Sequence, residues 1–285
     1  MGRRAECNSM QGFSSSFLIF FYQVALGGLF ALAGTPFHEI ERAFYKSTAA
    51  VLYVIALLGL WGKSPIYWHS LSQRLSWGIG LEVCFHVAFV IFFSSYMLSL
   101  WTENQAFRAR SFASAVLAGS VGLILSAHNF YNAALISMET VVYPTTFFIS
   151  SLLLGSVTVG MLIGHWYLID TGQSLDPFIR TYRFFVMALI AQCASLALSP
   201  LILYLFGTPQ TAIAMQRLWQ HHATLLITRA MIGQVAPLIL SWMIWRTLLI
   251  PHTMAATGLF YIALLGVFVG EILGRQILAL TSLPF

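Results

Sequence analysis

Eight long apolar runs fill almost the whole chain, with only short polar connections between them. A helix needs about 20 mainly apolar residues to cross the hydrocarbon layer, at about 1.5 Å per residue. The runs that meet this requirement are 14–34, 47–61, 77–101, 112–136, 144–169, 180–206, 222–249 and 253–279. Helices pair their own backbone groups, which lipid cannot do. The expected fold is therefore an all-α, polytopic integral membrane bundle of eight transmembrane helices.

Composition supports lipid as the solvent. Charged residues make up 8% of the 285 positions, against about 25% in soluble domains. No stretch is polar enough for a soluble domain, so residues 1–285 read as one membrane domain. The net charge of +5 does not point to nucleic acid, because the Lys and Arg residues scatter through short loops and helix ends. There they anchor headgroups and set topology. Cys7, Cys84 and Cys193 have no metal or redox spacing, and the latter two are expected as inert packing residues. The run near 17–32 lacks a small-residue cleavage site, so it reads as a first span rather than a signal peptide.

Prolines mark several expected boundaries. Pro144 would open the fifth span, where its missing N–H costs nothing. Asp176-Pro177 reads as an N-cap and a first-turn proline of the sixth. Pro251 would separate the last two spans, and Pro200 and Pro237 should kink theirs.

An even number of spans puts both termini on one face, face A. Arg3, Arg4, Lys63, Arg74 and Arg217 lie in its loops. Face B carries Arg42, Lys46, Arg108, Arg110, Arg180, Arg183 and Arg246. The positive-inside rule then makes B cytoplasmic and both termini external, in the cell (inner) membrane. On face A, 62–76 reads as a long loop. Residues 209–222 read as an amphipathic interfacial helix, with Ile213, Met215, Leu218 and Trp219 on its apolar side. No repeat relates the two four-helix halves.

The charges inside the spans gather in the A half of the membrane. Counting from the span ends, Glu82 lies about 8 Å deep, His86 about 14 Å, His128 and Glu271 about 12 Å and Arg229 about 10 Å. Arg275 stands one turn above Glu271, and Asn129, Asn132 and Gln234 are nearby in depth. An isolated charge in lipid costs about 2.5–3.5 kcal/mol on insertion scales, so charges at matching depth are expected to face one another. Arg229 with Glu271 is the natural pair. Glu82 and His86 share a helix face at i,i+4.

Span eight carries Gly266-x3-Gly270-Glu271-x2-Gly274-Arg275, a glycine ridge beside two ions. Span five carries Ser156-x3-Gly160-x3-Gly164, next to His165. Such ridges let helices approach closely. Towards face B, His38, Glu39, Glu41, Arg42, His165, Arg180 and Arg183 read as an aromatic and headgroup belt with surface ion pairs. His221 and His222 diverge by about 100° on a helix and do not form a metal site. No metal ligand set, phosphate loop or nucleophile elbow is present in the sequence.

The eight-span layout and Gly270-Glu271-x-x-Gly274-Arg275 are similar to the membrane-anchor subunits of polysulfide and dimethyl-sulfoxide reductase complexes. That resemblance implies a subunit that binds quinone or quinol without a haem of its own. It also implies an iron–sulfur or cytochrome partner docked on one face, with Glu271 and Arg275 in the characteristic last helix. His86 or His128 would then bond a quinone carbonyl, and Glu82 would pass protons to face A. Arg229 and Glu271 would hold the pocket electrostatically. Glu82, His86, His128, Arg229, Glu271 and Arg275 are thus the candidate cofactor-binding residues, with no catalytic residue of the chain's own. Two other readings stay open. His86 and His128 lie at similar depth on adjacent spans, as ligands of a haem b would, with Gly119 and Gly122 leaving room for a macrocycle. Alternatively, the chain is a non-catalytic scaffold of a respiratory or photosynthetic complex. A transporter is disfavoured by polar groups confined to one side.

Overall fold

The structure is a computed structural model that describes residues 2–35, 39–73, 77–131, 137–170, 172–250 and 252–285, with side chains from Ser14 onward save Gln73. All regular elements among them are helical. They are α1 (Gly2–Ala33), α2 (Arg42–Gln73), α3 (Trp77–Ser99), α4 (Gln105–His128), α5 (Met138–Ile169) and α6 (Asp176–Phe206). The short α7 (Pro209–His221) and α8 (Ala223–Ala230) follow, then a π-turn (Met231–Val235), α9 (Ala236–Leu249) and α10 (Thr253–Thr281). Among the described residues, eight segments are long and apolar enough to cross a membrane, with α8, the π-turn and α9 forming one of them. The chain is an all-α polytopic bundle. His38, Arg74, Asn132 and Pro251 lie outside the described residues, as do the side chains of Arg3, Arg4 and Cys7.

The second span is longer than the apolar run suggests. Its helix continues through Lys63-Ser64-Pro65, which reads in sequence as the start of a loop, and ends at Gln73. Pro65 cannot donate to the carbonyl one turn back, at Trp61. The Ser64 hydroxyl donates to that carbonyl instead, at 2.7 Å. Lys63 is accordingly no loop residue; it is 4% exposed and faces the bundle.

Other boundaries move for similar reasons. The fifth span starts at Met138, so Pro144 sits inside it rather than at its mouth. Leu175 is the N-cap of α6, with Asp176 its first residue and Pro177 in the first turn. α6 continues through Pro200 as one helix, whereas the π-turn immediately precedes Pro237. There the widened turn adapts the helix to a residue that lacks an N–H.

α1 and α5 form the centre of the bundle, each 72% buried over its apolar segment. They cross at Gly27 and Gly155. A Cβ built on Gly155 would lie 1.8 Å from the Gly27 carbonyl carbon, so the two backbones touch directly. Gln23 of α1 donates to the Phe147 carbonyl at 2.7 Å, and Ser151 of α5 donates back to the Gln23 carbonyl at 2.9 Å. The other glycine ridges serve α10. Gly160 and Gly164 receive Phe260 and Thr257, and Gly270 meets Gly233 of the π-turn.

Candidate functional site

Glu82 is the hub of a buried polar cluster on the A side of α2, α3 and α4. It lies one turn inside α3 and is 3% exposed. Lys63 Nζ donates to its Oε1 at 2.8 Å, Tyr67 Oη at 3.0 Å and Ser126 Oγ at 2.7 Å. Asn129 Nδ2 donates to Oε2 at 2.6 Å. Lys63 and Tyr67 reach it together because they are four residues apart on one face of α2. A carboxylate survives this depth only with its charge paired and its lone pairs occupied.

His86 lies one turn deeper on the same face. Its Nδ1 is 2.9 Å from the Glu82 carbonyl, which can only accept, so Nδ1 carries a proton. Nε2 is 3.4 Å from Ser126 Oγ. The Tyr22 ring packs on the imidazole with centroids 4.1 Å apart, and its hydroxyl donates to the Gly119 carbonyl at 3.0 Å. Tyr22 fills the space beside Gly122, while Leu26 and Phe89 fill that beside Gly119.

A cavity of about 260 Å³ opens onto this cluster. Lys63, Tyr67, Glu82, Ser126 and Asn129 give it a polar wall. Ile66, Ile79 and Phe130 give it an apolar one. It thus joins converging hydrogen-bond donors and a carboxylate to a greasy surface, the usual make-up of a small-molecule site.

The remaining candidates do not join this cavity. Arg229, Glu271 and Arg275 form a second cluster between α5, α6, α8 and α10. The guanidinium NH2 groups of Arg229 and Arg275 lie 3.3 and 3.4 Å from the Glu271 carboxylate. Gln192 Nε2 donates to Glu271 Oε1 at 2.9 Å, and Ser150 Oγ donates to Oε2. Arg275 also lies over the Phe147 ring, 4.6 Å from its centroid. Gly274 makes room for Arg229, whose NH1 would lie 1.9 Å from a Cβ there. Gly274→Ala is therefore expected to displace Arg229 from Glu271. It should lower the thermal midpoint by several degrees, since removing one partner of a buried pair costs about 3–5 kcal/mol. An unchanged midpoint in a detergent melt would contradict that placement.

His128 stands apart from both clusters. It is exposed on α4, and its Nδ1 lies 2.8 Å from the Tyr131 hydroxyl. Ser126, not His128, is the α4 residue that meets His86. Gln234 is buried in the π-turn and accepts from Cys193 Sγ at 3.3 Å. Cys84 is exposed on α3 rather than packed.

Near face B the side chains pair at the surface. Arg180 pairs with Glu39, and Arg42 with Glu103 at 2.8 Å. The bond from Arg42 holds the Glu103 carboxyl below its ordinary range. His165 is exposed, 3.3 Å from the Tyr261 hydroxyl. The segment at 209–222 does form an amphipathic helix. Thr208 caps it, and Glu139 accepts from both Thr208 N, at 2.7 Å, and Thr211 Oγ1, at 2.9 Å.

Three partners of Glu82, namely Lys63, Tyr67 and Ser126, are not among the candidates that the sequence offers. Lys63 reads as a cation of the face A loop 62–76, the same loop that contains Tyr67. The spacing of Lys63 and Tyr67, four residues apart, was the available signal. No protein family, curated protein or solved structure matches the chain.

Proposed function

We propose that the chain is the membrane subunit of a quinone-linked electron-transfer complex, and that the cavity at Glu82 holds the quinone or quinol headgroup. The observation that carries this reading is the meeting of Lys63, Tyr67, Asn129 and Glu82 on one wall of a half-apolar cavity within the A half of the bundle. A quinone headgroup offers carbonyl oxygens that need donors; the Lys63 ammonium and the Asn129 amide each carry more than one N–H and can serve Glu82 and a carbonyl together, while Tyr67 gives its one proton to Glu82. Quinol oxidation releases two protons and two electrons. Glu82 is the base that takes the two protons one after the other and passes each to face A, and the two electrons pass to a partner redox subunit, of iron–sulfur or cytochrome type. Ile66, Ile79 and Phe130 pack the ring and the start of its lipid tail. His86 supports the carboxylate from beneath, through the Glu82 backbone and Ser126, rather than lining the cavity. Face A is the external face in this reading, and the membrane is the cell (inner) membrane.

Glu82→Gln keeps an acceptor for Lys63 but removes the base. Quinol oxidation by the assembled complex is expected to fall about 10²–10⁴-fold, the usual contribution of a positioned general base, with the subunit still inserted. Glu271→Gln should leave turnover per folded complex within a few fold. Full quinol oxidation in Glu82→Gln would exclude Glu82 from the role.

A further inference from the structure

Glu139 lies in the first turn of α5, against the start of α7, and is 1% exposed. Its Oε1 accepts from Thr208 N and Thr211 Oγ1, whereas Oε2 is buried without a hydrogen-bond partner. Glu82 and Glu271 each have a cation beside them. Glu139 forms no ion pair among the described residues. A carboxylate this enclosed calls for a counter-charge.

A cavity of about 230 Å³ lies against Glu139. Gln210, Ile213, Ala214 and Arg217, one stripe of α7, form part of its wall. Waters would fill that space but would not neutralise the carboxylate. Tyr131 and Tyr143 also line it, and aromatic faces attract cations. Arg217 has the opposite need. It is exposed and takes part in no ion pair among the described residues. It stands six residues beyond Thr211, about 9 Å along α7. The cavity thus carries an anion without a cation at one end and a cation without an anion at the other. A zwitterion answers both. The surface of α7 points to its source. Ile213 and Trp219 are exposed on this amphipathic helix, as on a helix that lies among phospholipid headgroups.

We propose that this cavity is a binding site for the headgroup of one phosphatidylethanolamine molecule. Its ammonium pairs with Glu139, its phosphate pairs with Arg217, and its acyl chains lie in the bilayer beside Ile213. A primary ammonium carries three N–H donors, as lysine does, so it can serve the carboxylate and a neighbouring hydroxyl together. A choline headgroup has no N–H to give. The bound lipid holds α7 against α5. Phe130 lines both this cavity and the one at Glu82, but the proposal does not depend on what the latter binds.

The probe is radiolabelled dioleoyl phosphatidylethanolamine, titrated into the purified full chain in detergent micelles. Wild type is expected to retain one lipid per chain saturably. Dioleoyl phosphatidylcholine and dioleoyl phosphatidylglycerol should compete about ten-fold more weakly or worse, the scale of a lost charge-assisted bond. Free phosphoethanolamine, which lacks the chains, should compete more weakly still. Glu139→Gln should weaken binding by about ten-fold and remove the preference over the choline lipid. Arg217→Gln, at an exposed position of α7, should weaken it several-fold with folding unchanged. No saturable binding by wild type would overturn the proposal, as would equal binding of the choline lipid. Unchanged binding in Arg217→Gln would overturn it too, and that variant keeps the test standing if Glu139→Gln fails to fold. Free phosphoethanolamine that competes as strongly as the lipid would make the ligand a soluble zwitterion and overturn the lipid assignment.

Discussion

Lys63→Met is expected to destabilise the protein severely, and adding Glu82→Gln is expected to restore most of what is lost. Lys63 and Glu82 are 2.8 Å apart with side chains 5% and 4% exposed. Without the ammonium, Glu82 keeps Tyr67, Ser126 and Asn129 as donors but has no opposite charge. Removing one member of a buried pair costs about 3–5 kcal/mol, because the other charge stays behind. That is a large fraction of the total stability of about 5–15 kcal/mol typical of folded domains. Replacing both members leaves a neutral amide among neutral donors, which is far cheaper. Thermal midpoints of wild type, both single variants and the double variant give the coupling between the two residues. The expected order puts Lys63→Met lowest and the double variant well above it. Equal midpoints for Lys63→Met and wild type would mean that the pair does not form.

Gly155→Ala is expected to prevent α1 and α5 from packing as they do. The added Cβ would lie 1.8 Å from the Gly27 carbonyl carbon and 2.1 Å from the Gly28 nitrogen. Both are backbone atoms, so no side-chain rotation relieves the clash, and the two central helices must separate. Ordinary overpacking costs about 1–3 kcal/mol. Here the collision is between backbones at the centre of the bundle, so the effect should lie at or above that range. Gly80 and Gly258 provide the control, because a Cβ at either meets nothing within 4 Å. Alanine at those positions should leave stability within about 1 kcal/mol of wild type, the size of the helix-propensity difference. The measurement is the yield of folded, monodisperse protein in detergent, followed by its thermal midpoint. A Gly155→Ala protein that behaves like Gly80→Ala would contradict the crossing.

Depth was legible in the sequence and rotation was not. A residue's depth is a count from the end of its span. Counting alone put Glu82, His86, Arg229 and Glu271 in the A half, and the Arg229–Glu271 pair follows from it. Which way each helix turns its polar face depends on how eight helices pack. That is why depth alone assembled one group where the bundle contains two clusters; His128 was misplaced in depth as well, because α4 ends at His128 rather than continuing to 136, and its side chain is exposed. Lys63 was obscured by its neighbours, since Lys-Ser-Pro reads as a helix end unless Ser64 is known to complete the Trp61 carbonyl. The Gly27–Gly155 crossing was equally hidden. The ridges of α5 and α10 repeat at four-residue spacing, whereas this contact needs only one glycine from each helix. α7 was legible because amphipathic periodicity is local, although the Glu139 that caps it from another helix was not.

The most direct test of the central claim is photoaffinity labelling with an azidoquinone, followed by mapping of the labelled peptides. The account predicts labelling within residues 63–70, 79–82 or 126–130, competed by excess quinone and lost in Glu82→Gln. Competable labelling confined to the spans that carry Arg229 and Glu271, or no competable labelling at all, would contradict it.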